Sequence, residues 1–112
     1  MHDWAGLGAQ PDAVALVLRE AATRLREGGW LQGRFRDPDT GAMDAVAALA
    51  SVVGLDLMEV CRKERRIPAG ECVLLGAALE RATVHVGARA LSVWNDDPER
   101  TVEQVCAALE AA

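Results

Sequence analysis

Two groups of side chains in this sequence have types and spacing that could do chemistry. The first joins "GGWLQGRF" to "VWNDDPERT". It takes Trp30 and Gln32 from one stretch and Trp94, Asn95 and Asp96 from the other. Indoles beside carboxamides and a carboxylate can line a pocket with apolar walls and a few polar groups that orient a ligand. The same residues have a structural use: indoles can seal a core edge while the polar groups cap backbone. The second group is "CRKERR", which crowds Arg62, Lys63, Arg65 and Arg66 together. Such a basic patch can take phosphate, nucleic acid or an acidic partner. It can equally be a solvated helix end whose cations offset the negative end of the dipole.

Other chemistries find little footing. His2 and His85 are the only histidines, and Cys61, Cys72 and Cys106 are widely spaced with no CxxC. Metal-ligand spacing is therefore missing, and neither a metal nor a cofactor is expected. Asp37, Asp39 and Gly41 faintly resemble a calcium loop, but the full ligand series and closing glutamate are lacking, so a solvated turn is the reading. There is no GxSxG, HExxH, P-loop or GxGxxG. His85 is flanked by valines in "TVHVG" and reads as a half-buried structural residue. Ser51, Ser92 and the cysteines lie in apolar helical contexts, and capping explains the Asp96–Asp97 pair. No catalytic residue is assigned.

The elements that must position these groups are mainly helical. The chain has 112 residues, enough for one modest core. Its apolar content, 51%, is dominated by Ala, Val and Leu, with no tyrosine and Phe35 as the single phenylalanine. That favours helix over a β-sandwich. "QPDAVALVLREAATRLREGGW" predicts an amphipathic helix with Val14, Leu18, Ala21, Ala22 and Leu25 on one face, Pro11 in its first turn and Gly28-Gly29 as its stop. "WLQGRFRDPDTGAM" predicts an extended excursion, read as a short β-hairpin around "DPDTG". "DAVAALASVVG" returns to helix with Asp44 as cap and Gly54 as stop. A helix through Leu57, Val60 and Cys61 follows, broken by Pro68 and Gly70. "ECVLLGAALERATVHVGARALSVW" is apolar nearly throughout and reads as the central element, divided at Gly87. In "WNDDPERT", Asn95 can end the preceding helix in left-handed conformation and Pro98 cannot continue it. Thr101 and Gln104 match a capping box for a closing helix whose apolar face is Val102, Val105, Cys106 and Leu109. The expected fold is mainly α: about five helices around a single core, with a short β-hairpin after the first helix. Residues 1–112 read as one domain, with 1–9 as a flexible N-terminal segment.

Three segments together carry a family resemblance: "GGWLQGRF", "GAMDAVAALASVVG" and "VWNDDPERTVEQV". In order and spacing they resemble a family of small actinobacterial and phage proteins classed as a domain of unknown function. Its pattern has Gly-Trp-x-Gln-Gly, a Cys-x-x-Gly-Ala-type helix start, and Trp-Asn-Asp with Arg-Thr before the last helix. This chain departs at the middle motif, with Asp44 at the cysteine position and Ala47 at the glycine position. Any role that cysteine plays in relatives is one this chain lacks. The resemblance implies a small, soluble, helical bacterial protein and carries no activity with it.

The expected function is a small cytoplasmic, non-enzymatic binding or regulatory protein acting through a protein partner or as a homodimer. The alternative is a small-molecule-binding protein or cofactor-independent enzyme with a pocket near Trp30 and Trp94. The third reading is a DNA-associated regulator using Arg62 to Arg66, with Arg34 and Arg36 on a hairpin wing. The net charge of −5 weighs against nucleic acid, which needs a cationic face. No apolar run is long enough to span a membrane.

Overall fold

The computed structural model describes residues 10–57 and 69–112. Among these, five helices follow in order: α1 (Pro11–Gly28), α2 (Ala45–Val52), α3 (Ala69–Val86), α4 (Leu91–Asn95) and α5 (Val102–Ala111). The expected flexible segment 1–9, the basic patch Arg62, Lys63, Arg65 and Arg66, and the inward positions Val60 and Cys61 lie outside the described residues.

Helix α1 organises the core and packs against α5, α2 and α3. Its proline sits in the first turn, where a missing N–H costs nothing. Val14, Val17, Leu18, Ala21, Ala22 and Leu25 are buried in one stripe. Each fully buried Val or Leu contributes about 1.5–3 kcal/mol of apolar transfer. The helix stops at Gly29, which takes φ +99° and lies so close to Ala42 that an added Cβ would stand 3.3 Å from the alanine methyl. The central place expected for the 71–94 stretch belongs to α1. Helix α3 buries Leu74, Ala78 and Ala82 but turns Val73, Glu80, Arg81 and Val84 to solvent. His85 also lies on an exposed position, because neighbours in sequence point to different sides of a helix. Gly70, expected as a breaker, lies inside the first turn of α3.

The short β-hairpin after α1 is not formed. Among the described residues there is no strand, only isolated bridges from Trp30 and Arg36 to Met43. The turn is present: the Gly41 N–H donates to the Asp37 carbonyl at 2.8 Å, and Asp37 Oδ1 accepts from the Asp39 N–H at 2.9 Å. What fails is the ladder. Gly33 bends the chain at φ +84°, and its N–H donates across the molecule to Asp96. The wing imagined for a DNA-binding reading is absent with the hairpin, and Arg34 is paired with Asp37 at 3.1 Å.

The remaining caps follow local chemistry. Asp44 caps α2, its Oδ1 accepting from the Ala47 N–H at 2.7 Å. Thr101 and Gln104 form the reciprocal capping box of α5, so two otherwise orphaned helix N–H groups are satisfied. Gly87, at φ +69°, follows the last residue of α3 and divides it from α4. Helix α4 ends without a left-handed residue: Asn95 stays helical and Asp96 follows at φ −89°.

Candidate ligand site

The end of α1 and the α4–α5 joint are locked together by one side chain. Asn95 is wholly buried, at 0% exposure, so all four of its carboxamide hydrogen-bonding positions must find protein partners. They do. Oδ1 accepts from the Trp30 indole N–H at 2.7 Å and from the Ala45 N–H at 3.1 Å. Nδ2 donates to the Leu31 carbonyl at 3.1 Å and to Asp96 Oδ1 at 3.0 Å. The network assigns the orientation of the amide, since a flipped one would set two donors against two donors.

Gln32 and Asp96 extend this clasp. Gln32 Nε2 donates to the carbonyls of Asn95 at 3.0 Å and Asp97 at 2.6 Å. Asp96 Oδ1 also accepts from the Gly33 N–H at 3.0 Å. Trp94 plays a separate part. Its ring packs against the core edge, Arg100 stacks over it with the guanidinium carbon 4.0 Å from the ring centroid, and Arg100 Nε donates to the Trp94 carbonyl at 3.0 Å. The structure thus brings Trp30, Gln32, Asn95 and Asp96 into direct contact. The indole that reaches across to a buried polar partner is that of Trp30.

Beside the clasp lies a cavity of about 750 Å³. Phe35, Met43, Leu55 and Leu57 give it an apolar wall, and Asp44, Ser51, Ser92 and Asp96 supply polar groups, with Arg34, Arg36 and Asp56 also lining it. Its size falls within the range of small-molecule sites. Of the five residues singled out from the sequence, Asp96 lines this cavity. The clasp fixes the geometry there: Asn95 holds Ala45 at the start of α2, and with it Asp44, while Asp96 is held by Gly33 and Asn95.

Asp44 is the unusual group. It is 2% exposed, and burial pushes its carboxyl up to about 6. The charge of Asp96 adds to that rise, while the N–H groups of Ala47 and Val46 act against it. The capping role of Asp44 could be read from sequence; its place in a cavity could not. Phe35, Ser51 and Ser92 carried no local signal for the site either.

Among the described residues no group of His, Cys, Asp and Glu side chains could hold a metal ion. No described helix is long and apolar enough to cross a membrane.

The architecture and site define an all-α domain with a lateral, partly acidic cavity. Residues 9–112 match a family described as "Family of unknown function (DUF6197)", and the chain belongs to that family. No curated protein and no solved structure matches it.

Proposed function

We propose that this protein is a non-enzymatic binding protein whose ligand is a small molecule held in the cavity beside the Asn95 clasp. The observation that carries this reading is Asp44: an almost fully buried carboxyl group lining a cavity of about 750 Å³. Burying a carboxyl is costly unless partners compensate it, and perturbed groups of this kind cluster at functional sites. The clasp supplies rigidity, because Asp96 and Ala45, the neighbour of Asp44, are each hydrogen-bonded to an asparagine at 0% exposure. A cytoplasmic setting in an actinobacterium or its phage belongs to the same proposal. Its support is the motif resemblance and the free thiols of Cys72 and Cys106. Native mass spectrometry of the protein purified without denaturation tests the reading. A retained mass, lost when Ala47 on the cavity wall is enlarged to Leu, is the expected result. A species of bare chain mass, together with no binding in a small-molecule screen, would overturn it.

A second reading keeps contact with a protein partner or a second copy. Val73 and Val84, exposed to 53% and 73%, recur on one face of α3 at helical spacing and favour it. Sedimentation analysis of Val84→Asp against the parent tests this reading. A mass shift toward monomer supports it, and a monomer in both proteins opposes it.

A further inference from the structure

The cavity's lining is divided in kind. Phe35, Met43, Leu55 and Leu57 offer an apolar surface, whereas Asp44 and Asp96 offer carboxylates fixed from behind. Asp44 is held by its helix N–H groups, with Ala47 N at 2.7 Å from Oδ1. Asp96 is held by the Gly33 N–H and the Asn95 amide, both at 3.0 Å from its Oδ1. Neither carboxyl group need reorganise to meet a ligand.

The charges around the cavity are unbalanced at Asp44. Among the described residues, the charged groups lining it are Arg34, Arg36, Asp44, Asp56 and Asp96. The charge that acts on Asp44 is that of Asp96, of like sign, and Arg34 is engaged by Asp37 at 3.1 Å. Two carboxyl groups lining one cavity repel, and the burial of Asp44 strengthens the effect on that group. A cation between them would turn that repulsion into attraction. A bound anion would worsen it. A bare metal ion fits less well, because four apolar side chains make up much of the lining and offer no ligand atoms. An ammonium group joined to an apolar body satisfies both sides at once, with Phe35 able to receive either end.

Resting on the reading of the cavity as a ligand site, we infer that the ligand is a small protonated amine with an apolar body, its ammonium group held between Asp44 and Asp96 and its body against Phe35, Met43, Leu55 and Leu57. The test is an NMR titration of the ¹⁵N-labelled full chain with three probes of one size: phenethylammonium, 2-phenylethanol and phenylacetate. Phenethylammonium should shift the amides of Gly33, Ala47, Ser92 and Asp96 and leave those of exposed Glu80 and Val84 in place. Phenylacetate should not shift them. Asp44→Asn removes the charge yet keeps an oxygen to cap α2, and should weaken the amine at least about tenfold. Asp96→Asn, which keeps its acceptor for Gly33, should do the same and serves if the first variant fails to fold. Binding of phenylacetate or 2-phenylethanol as tight as that of the amine overturns the cation inference and leaves the ligand cavity standing. Amine binding that neither variant weakens overturns it likewise. No shift of the lining amides with any of the three probes overturns the inference and the cavity reading together.

Discussion

The indole N–H of Trp30 lies 2.7 Å from Oδ1 of Asn95, although 65 positions separate the two residues in the chain. This bond is one of four that use every donor and acceptor of a fully buried amide, and it joins the end of α1 to the end of α4.

Asn95→Leu keeps the branching and the number of heavy atoms, adds some bulk, and removes all four bonds. The Trp30 N–H, the Ala45 N–H and the Leu31 carbonyl would lose their partner, at about 1–3 kcal/mol for each buried group left unsatisfied. Three such groups give about 3–9 kcal/mol, and because Trp30 and Leu31 are only half-buried the expected loss lies in the lower part, about 3–6 kcal/mol in urea unfolding. A loss under about 1 kcal/mol, the range of ordinary surface changes, would deny the clasp its structural role.

Asp44 should make stability depend on pH. Its folded carboxyl titrates near 6, above the 3.8 of an ordinary aspartate, so between those values the native state binds more protons than the unfolded chain. Stability contributed by this group is thus fully present below about pH 3.8 and lost as pH rises through about 6, to a total of about 3 kcal/mol. Asp44→Asn removes the titration and keeps the cap. The variant should gain on the parent by about that amount between pH 4 and pH 7, measured as the difference between paired urea midpoints. A difference that stays flat across this range would show that the carboxyl is not held above its ordinary value.

Much of the helical architecture was legible because its signals are local. Pro11, Gly29, Asp44, Gly87 and the Thr101–Gln104 pair each act within a turn or so of their own position, and each does what its chemistry prescribes. The "DPDTG" turn was legible for the same reason, whereas the hairpin was not. A ladder needs partners for both edges, and here Gly33 is drawn away to Asp96. His85 was misjudged because its flanking valines suggested burial, yet on a helix Val84 itself is 73% exposed. That Trp30, Gln32, Asn95 and Asp96 belong together was visible from their residue types. Which of the two indoles reaches the buried amide was not, because that depends on how the ends of α1 and α4 pack. The cavity was illegible altogether, since its lining comes from separate segments brought together by packing.

Trp94 should behave as a sheltered edge residue. Its ring is half-buried and covered by Arg100 at 4.0 Å. Truncation to Ala is expected to cost about 2–3 kcal/mol, below the range for a wholly enclosed ring. Arg100→Lys loses the bond from Nε to the Trp94 carbonyl and the flat stacking, for about 1 kcal/mol. A red shift of tryptophan emission should accompany it. An unchanged spectrum and midpoint in Arg100→Lys would argue that the stacking contributes nothing.

Cys106 should be chemically silent in the folded protein. It is buried, its thiol is pushed up chiefly by burial, and its Sγ donates to the Ala22 carbonyl at 3.5 Å. A thiol reagent should react with it only at the rate of unfolding, and counting on the denatured, unreduced protein should give three thiols per chain. One thiol per chain, or rapid labelling of Cys106 under native conditions, would contradict this.

The partners of Arg26, Trp30 and Gln32 all lie between Asn95 and Glu110. A chain emerging from the ribosome therefore exposes the first helix and its tryptophan long before the residues that complete them exist. Until α5 is released, the side of α1 that packs on it, where the Ala22 carbonyl accepts from Cys106, has no cover, and a prematurely ended chain would present it to chaperones and proteases. Docking of α5 is thus a latch on the first helix that can close only after the residues through α5 have been made.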